Sequence, residues 1–167
     1  MRNPSLICKT WVLGLVCLSA TLAAAQGKIA STWHCPKPAG GANYQIGDQP
    51  GHSYALVQYH CTASKGEIAT VKEKEGTSTE FSEMSGDKSS GHGMFVATMA
   101  NGDHVHYSFT SQSTWKNGMM QSGSNKFEVK GGTGKFKGAK GSGTCAGKGN
   151  KDGSADFTCT GTYTGVM

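Results

Sequence analysis

Arginine is nearly absent from this chain, and the one arginine among its 167 residues is Arg2. Bidentate recognition of phosphates or guanine bases depends on the paired hydrogen bonds that the guanidinium group of arginine donates. Without Arg2 and Lys9, which lie in the N-terminal segment discussed below, 14 lysines face 11 acidic residues, a net charge of +3. This balance is too mild to attract a polyanion strongly. We therefore predict no nucleic-acid partner.

Several motifs of enzymes and cofactor sites are also missing. Gly134-Lys135 lacks the flanking residues of a phosphate-binding loop, and no G-x-S-x-G turn is present. The segment 141–146 matches a relaxed G-x-G-x-x-A, but it opens no predicted helix. There is no C-x-x-C pair, which disfavours a zinc site. The sequence therefore predicts no cofactor and assigns no catalytic residue.

Long apolar runs are confined to the N-terminus. Arg2 and Lys9 precede the apolar stretch 11–22, and Ala23 to Ala25 supply the small residues that signal peptidase requires. This order predicts a signal peptide over residues 1–25, cleaved before Gln26, and export to the periplasm or the extracellular space. The alternative, an uncleaved anchor, is disfavoured because the run is shorter than the roughly 20 residues of a membrane span. No later stretch could form such a span.

Two of the six cysteines lie within that segment, and four remain in the mature chain: Cys35, Cys61, Cys145 and Cys159. An even number of cysteines in an exported chain predicts disulfides. The turn-forming residues 150–153 place Cys145 opposite Cys159 in a hairpin. Cys35 is then left to pair with Cys61.

The mature chain shows no long stretch with a helical apolar period. Short runs of β-branched and aromatic residues alternate with clusters of Gly, Asn, Asp and Ser. We predict one all-β domain over residues 52–167, an antiparallel barrel of about eight strands, with a β-sandwich as the alternative. Residues 26–51 are predicted to be an irregular arm with one short strand, and residues 85–93 a flexible polar loop at the rim.

One predicted strand has two chemically different faces. Val105, Tyr107 and Phe109 share a face, and His104 and His106 lie on the other. We select Tyr107, Phe109, His104 and His106 as candidate ligand-binding residues. The two histidines are also weak candidates for a metal site, but nothing fixes a third ligand, so a solvated strand face is the favoured explanation.

Charge is distributed unevenly along the chain. Residues 67–87 contain six acids and two lysines, whereas residues 116–151 contain eight lysines and one acid, Glu128. We interpret the glutamates at 73, 75, 80 and 83 as solvated charges that discourage edge pairing. The lysine-rich third is a solvated face or a contact for an anionic partner.

The segment 127–141 contains the run Gly131-Gly-Thr-Gly-Lys-Phe136 between two predicted strands. This pattern resembles dirigent proteins and allene oxide cyclase-like barrels, including small exported bacterial members. The resemblance implies an eight-stranded antiparallel barrel in which Gly131, Gly132 and Gly134 permit a tight turn and Phe136 plugs one end. It transfers no catalytic role, because the pocket residues of the plant enzymes have no matched positions here.

Two functions follow from these expectations, and the barrel lumen distinguishes them. One is a non-catalytic exported barrel that binds a small apolar molecule in its lumen or a partner on its basic face. The other is an isomerase or cyclase that folds a lipid-like substrate; a metal-binding envelope protein is a weaker third. An open lumen of more than about 300 Å³ with a buried charge favours the enzyme, and a wholly apolar lumen favours a carrier. A lumen filled by side chains would exclude both.

Overall fold

The fold is described from a computed structural model that covers residues 26–38 and 40–167. The predicted signal peptide lies outside these residues. Within them, no helix has the length and apolarity needed to cross a membrane. The ten strands, in chain order, are β1 Gly27–Cys35, β2 Gly41–Gln45, β3 Ser53–Lys65, β4 Glu67–Ile68, β5 Val71–Ser85, β6 Lys88–Met99, β7 His104–Lys116, β8 Met119–Gly132, β9 Lys140–Gly149 and β10 Ala155–Thr164.

Eight of these strands close into an antiparallel barrel. From β5 to β9, each strand pairs with the strand that follows it in the chain. β10, which pairs with β9 in this way, pairs on its other side with β1. The ring closes because β3 pairs with β5 along residues 53–62 and with β1 along residues 62–65. Closure removes exposed strand edges. The predicted all-β barrel is therefore confirmed.

The two remaining strands lie outside the ring. β2 pairs with residues 53–57 of β3, on the edge that β1 leaves uncovered. β4 forms a two-residue pairing with the start of β5. These additions cover backbone groups that would otherwise be unpaired at the seam of the barrel.

The barrel begins earlier than the predicted arm allows. β1 pairs with β10 over its full length, from Gly27 opposite Tyr163 to Cys35 opposite Ala155. Its alternate side chains Ile29, Ser31 and Trp33 are buried. Prolines and glycines further along this segment obscured the two-residue period of β1.

Residues 85–93, predicted to be a flexible loop at the rim, instead form a tight hairpin and the start of β6. Gly86 and Asp87 form the turn, and β6 begins at Lys88. Small polar residues at 89–93 suggested a loop, yet Ser89, Gly91 and Gly93 alternate with the exposed Ser90 and His92, as in a strand with one face toward the barrel interior. β5 is one long strand with a bulge between Glu73 and Glu75.

One end of the barrel is closed by packed side chains. After β8 the chain makes a single 3-10 turn, Gly134–Phe136, which carries Phe136 into full burial. Gly131 and Gly134 have φ angles of 117° and 49°, which glycine adopts without strain. Ile68, Met99 and Val105 are the other fully buried large side chains, and with Phe136 they belong to the core.

Candidate functional site

The lumen of the barrel contains a cavity of about 490 Å³. Its wall includes inward side chains of all eight barrel strands. The lining continues into the segments 37–38, 118–120 and 150–154, so the cavity opens at the end opposite Phe136. A cavity of this size lies within the usual range for small-molecule sites.

Aromatic rings form a continuous surface on the cavity wall. Trp33 packs edge-on against Phe95, with ring centroids 4.8 Å apart. Tyr107 lies next to Phe95 at 6.0 Å and meets Phe127 edge-on at 5.5 Å. Such contacts hold the rings in fixed positions. The aromatic rings therefore form a continuous part of the cavity wall.

Inward-facing glycines explain why these rings leave the lumen open. A Cβ atom added at Gly76 would lie 2.3 Å from Phe95, and one at Gly147 would lie 2.4 Å from Phe157. A Cβ at Gly93 would likewise lie 2.8 Å from Phe109. Each ring thus lies over the backbone of a glycine on a neighbouring strand. The rings cover the wall and do not project across the cavity.

A buried carboxyl group lies near the closed end of the cavity. Glu73 is 6% exposed and accepts hydrogen bonds from the hydroxyls of Ser31 and, at 3.3 Å, Tyr107. Burial raises the pKa of Glu73, and the two hydroxyl donors partly oppose the rise. Burial, together with the neighbouring Glu73, raises the pKa of Tyr107 well above its usual value.

A second carboxyl group lines the cavity further along β5. Glu80 accepts a hydrogen bond from the hydroxyl of Ser111, and burial raises the pKa of Glu80. Burial also raises the pKa of Tyr59 to about 12, with a smaller contribution from Glu80. With a rise of about 3.3 Å per residue, the two glutamates occupy different depths of the lumen.

The mouth of the cavity is lined by hydroxyl groups. The indole N–H of Trp115 donates to Ser89 at 3.0 Å and to Ser113 at 3.2 Å, and these two hydroxyls are 2.7 Å apart. Hydroxyl groups therefore provide hydrogen-bonding partners near the opening of the cavity.

Two disulfides cross the wall of the cavity. Cys145 and Cys159 are direct partners in the β9–β10 ladder, with Cα atoms 4.0 Å apart. Cys35 and Cys61 join β1 to β3, with Cα atoms 4.2 Å apart. The pairing predicted from the hairpin is confirmed.

Comparison with known proteins gives a match in structure but none in sequence. No protein-family model and no curated protein matches the chain. Among solved structures, a pterocarpan synthase dirigent protein superposes with a TM-score of 0.50 and 13% identity, over 99% of this chain and 100% of that one. This chain has a dirigent-like barrel fold. At this identity the match supports the fold alone.

The four predicted ligand-binding residues lie on two different faces of β7 in this dirigent-like barrel. Tyr107 and Phe109 line the cavity, and their role in ligand binding stays a prediction. His104 and His106 alternate with the buried Val105 and Tyr107, so they lie on the outer face and do not line the lumen. Among the described residues, no three His, Cys, Asp or Glu side chains are grouped as a metal site requires.

The interpretation of the glutamates as solvated edge charges is wrong for Glu73 and Glu80. On β5 the usual pattern is reversed, because Glu80 faces the lumen and its neighbour Phe81 is 42% exposed on the outer surface. The bulge beside Glu73 also changes which residues face inward. Tyr54 stacks on Phe81 outside the barrel, so these two aromatics do not contribute to the cavity.

Proposed function

We propose that this is an exported protein that binds one small, mostly apolar molecule in the lumen of its barrel. The observation that carries this proposal is the open cavity of about 490 Å³ with aromatic walls and a few placed polar groups. Small-molecule sites have this composition. A structural protein has no need for a lumen kept open by glycines beneath aromatic rings.

Export is part of the proposal and has separate support. Disulfides persist in oxidising compartments, and the barrel contains two of them. The predicted signal peptide agrees with this placement. Mass analysis of the secreted or periplasmic protein should find Gln26 as the first residue, whereas an intact N-terminus in the cytoplasm would contradict export.

The binding proposal is tested with the uncharged fluorescent probe N-phenylnaphthylamine, whose emission rises in apolar surroundings. We expect saturable binding of one probe per chain. Ser78→Phe places a ring in the lumen, and Thr79→Phe places the same ring on the outer face of the same strand. Ser78→Phe should abolish binding while Thr79→Phe retains it. No saturable signal with wild type, or equal binding by both variants, would overturn the proposal.

Binding in the lumen is the step that a carrier and an enzyme share. The lumen is open but not wholly apolar, so the more specific candidate is an isomerase or cyclase that acts within it. It is favoured by the two buried carboxyl groups of Glu73 and Glu80, whose raised pKa values suit proton transfer. The similar solved barrel is itself named a synthase. With an unstable unsaturated fatty-acid epoxide, the enzyme should give one enantiomer of the cyclic product in excess, and Glu73→Gln with Glu80→Gln should lose that excess. A racemic product with wild type would contradict this activity.

An anionic partner on the outer surface remains a prediction. Lys126, Lys130 and Lys148 are exposed on β8 and β9, although Lys130 is paired with Glu128 at 3.1 Å. Any such contact should weaken steeply with added salt.

A further inference from the structure

The lumen is acidic as well as aromatic. Below its mouth, the acidic or basic side chains among the described lining residues are Glu73 and Glu80, both of them acids. The two lysines of the lining, Lys37 and Lys151, belong to the segments at the opening. A molecule that enters the interior therefore meets two carboxyl groups, and no lysine or histidine is among the described residues that line this part of the cavity.

An ionised carboxylate in such a place is costly unless a positive charge compensates it. Glu73 has hydroxyl donors in Ser31 and Tyr107. Hydroxyl groups solvate a carboxylate but do not neutralise it. A bound cation would supply the positive charge that the described lining of the interior lacks.

Tyr107, the ring that contacts Glu73, belongs to the aromatic wall, and this wall favours the same type of ligand. Tyr107, which donates to Glu73, packs against Phe95 and Phe127, and Trp33 packs against Phe95. The faces of Trp, Tyr and Phe attract cations, and this attraction is strongest where water is excluded. Carboxylate and aromatic rings thus occur together at one level of the cavity.

We propose that the ligand of this lumen is a lipophilic amine, bound as its ammonium ion between the Glu73 carboxylate and the surrounding aromatic rings. The proposal rests on the proposed function, since it assumes that the lumen binds a small apolar molecule. An anionic lipid of the same size is disfavoured because it would face both glutamates. A neutral molecule would gain only a hydrogen bond from the Glu73 carboxyl group, without the attraction between opposite charges.

The test is displacement of N-phenylnaphthylamine by decylamine, decanol and decanoate, which share one chain and differ in charge. Decylamine should bind wild-type protein at least about tenfold more tightly than decanol, equivalent to about 1.4 kcal/mol, and decanoate should bind most weakly. Glu73→Gln keeps the size of the side chain and should remove the preference for the amine. Glu75→Gln, an exposed position on the same strand, should preserve it.

The outcomes separate this inference from the proposed function. If decanol or decanoate displaces the probe as well as decylamine does, the lumen binds apolar molecules but the inference of an amine is overturned. If the preference for the amine persists in Glu73→Gln, the assignment to Glu73 is overturned. If the probe itself does not bind, both proposals fail. The wild-type comparison decides the charge preference even if Glu73→Gln does not fold.

Discussion

The two halves of the barrel are built from the same strands, but side chains fill one half and leave a cavity in the other. At the closed end, Ile68, Met99, Val105 and Phe136 meet at one level and leave each of these side chains less than 2% exposed. In the open half, aromatic side chains on some strands lie over glycines on their neighbours, and serines line β5, β6 and β7. Large residues on adjacent strands fill a barrel, whereas large residues paired with glycine coat its wall.

The largest effect should come from breaking the closed end. Phe136→Ala removes a fully buried ring and should lower the free energy of unfolding by about 3–5 kcal/mol. Phe109→Ala, on the wall of an existing cavity, should cost less than half as much, because that ring has fewer neighbours to lose. Urea denaturation of both variants measures the difference. Equal costs would mean that the two halves are equally packed.

The open half should depend more on its disulfides. Replacing Cys35 and Cys61 by serine opens a link with a sequence separation of 26 and should cost about 3.5 kcal/mol. The same change at Cys145 and Cys159, with a separation of 14, should cost about 3 kcal/mol. Urea denaturation of each double variant checks the order. A negligible cost for both would show that packing alone holds the open half.

The glycine positions can be tested by adding a single methyl group. Gly76→Ala forces Phe95 away from the wall, which should cost about 1–3 kcal/mol and weaken binding of N-phenylnaphthylamine. Gly40→Ala is the control, since nothing lies within 4 Å of its added Cβ. Thermal melts and probe titration report the two effects. Unchanged probe binding in Gly76→Ala would contradict the role assigned to glycine.

The buried carboxyl groups should make the open half sensitive to pH. Because the pKa of Glu80 is raised above the unfolded value of 4.5, the folded state holds its proton more tightly, and stability falls as pH rises from 4.5 through the raised value. Glu80→Gln should therefore stabilise the protein more at pH 8 than at pH 4. Melting temperatures at the two pH values test this. A larger gain at pH 4 would contradict the burial of a titrating carboxyl.

The smallest effect concerns His52, on the loop between β2 and β3. His52 is hydrogen-bonded to Asp48 at 2.6 Å and to Glu83 at 2.9 Å, and these bonds raise its pKa above 6.5. Its contribution to stability is complete below pH 6.5 and is lost as pH rises through the raised value. His52→Asn should thus destabilise more at pH 5.5 than at pH 9, by melting temperature. An equal loss at both would show that His52 acts without its charge.

The sequence predicted the barrel because its strands and turns have strong local signals. The alternation around Val105, Tyr107 and Phe109 indicated one apolar face that lines the lumen, and the family resemblance of the run from Gly131 to Phe136 predicted the plug. The hairpin at residues 150–153 also fixed one disulfide. These features depend on residues close together in the chain.

The interior of the site could not be predicted because it depends on pairing between distant strands. Alternation alone shows two faces of β5 but does not say that the face with Glu80 turns inward and the face with Phe81 outward. Gly76 has meaning only beside Phe95, which lies on the next strand. A search for glycines that lie beside aromatic residues of a neighbouring strand would have found this arrangement.

The central claim is that the lumen is open and accepts an apolar molecule, and a crystal structure grown with N-phenylnaphthylamine tests it most directly. The probe should lie inside the barrel, in contact with Trp33, Phe95 and Phe127, with Phe136 still sealing the far end. A lumen filled by inward-turned side chains, or a probe bound only on the outer surface beside Tyr54 and Phe81, would contradict it.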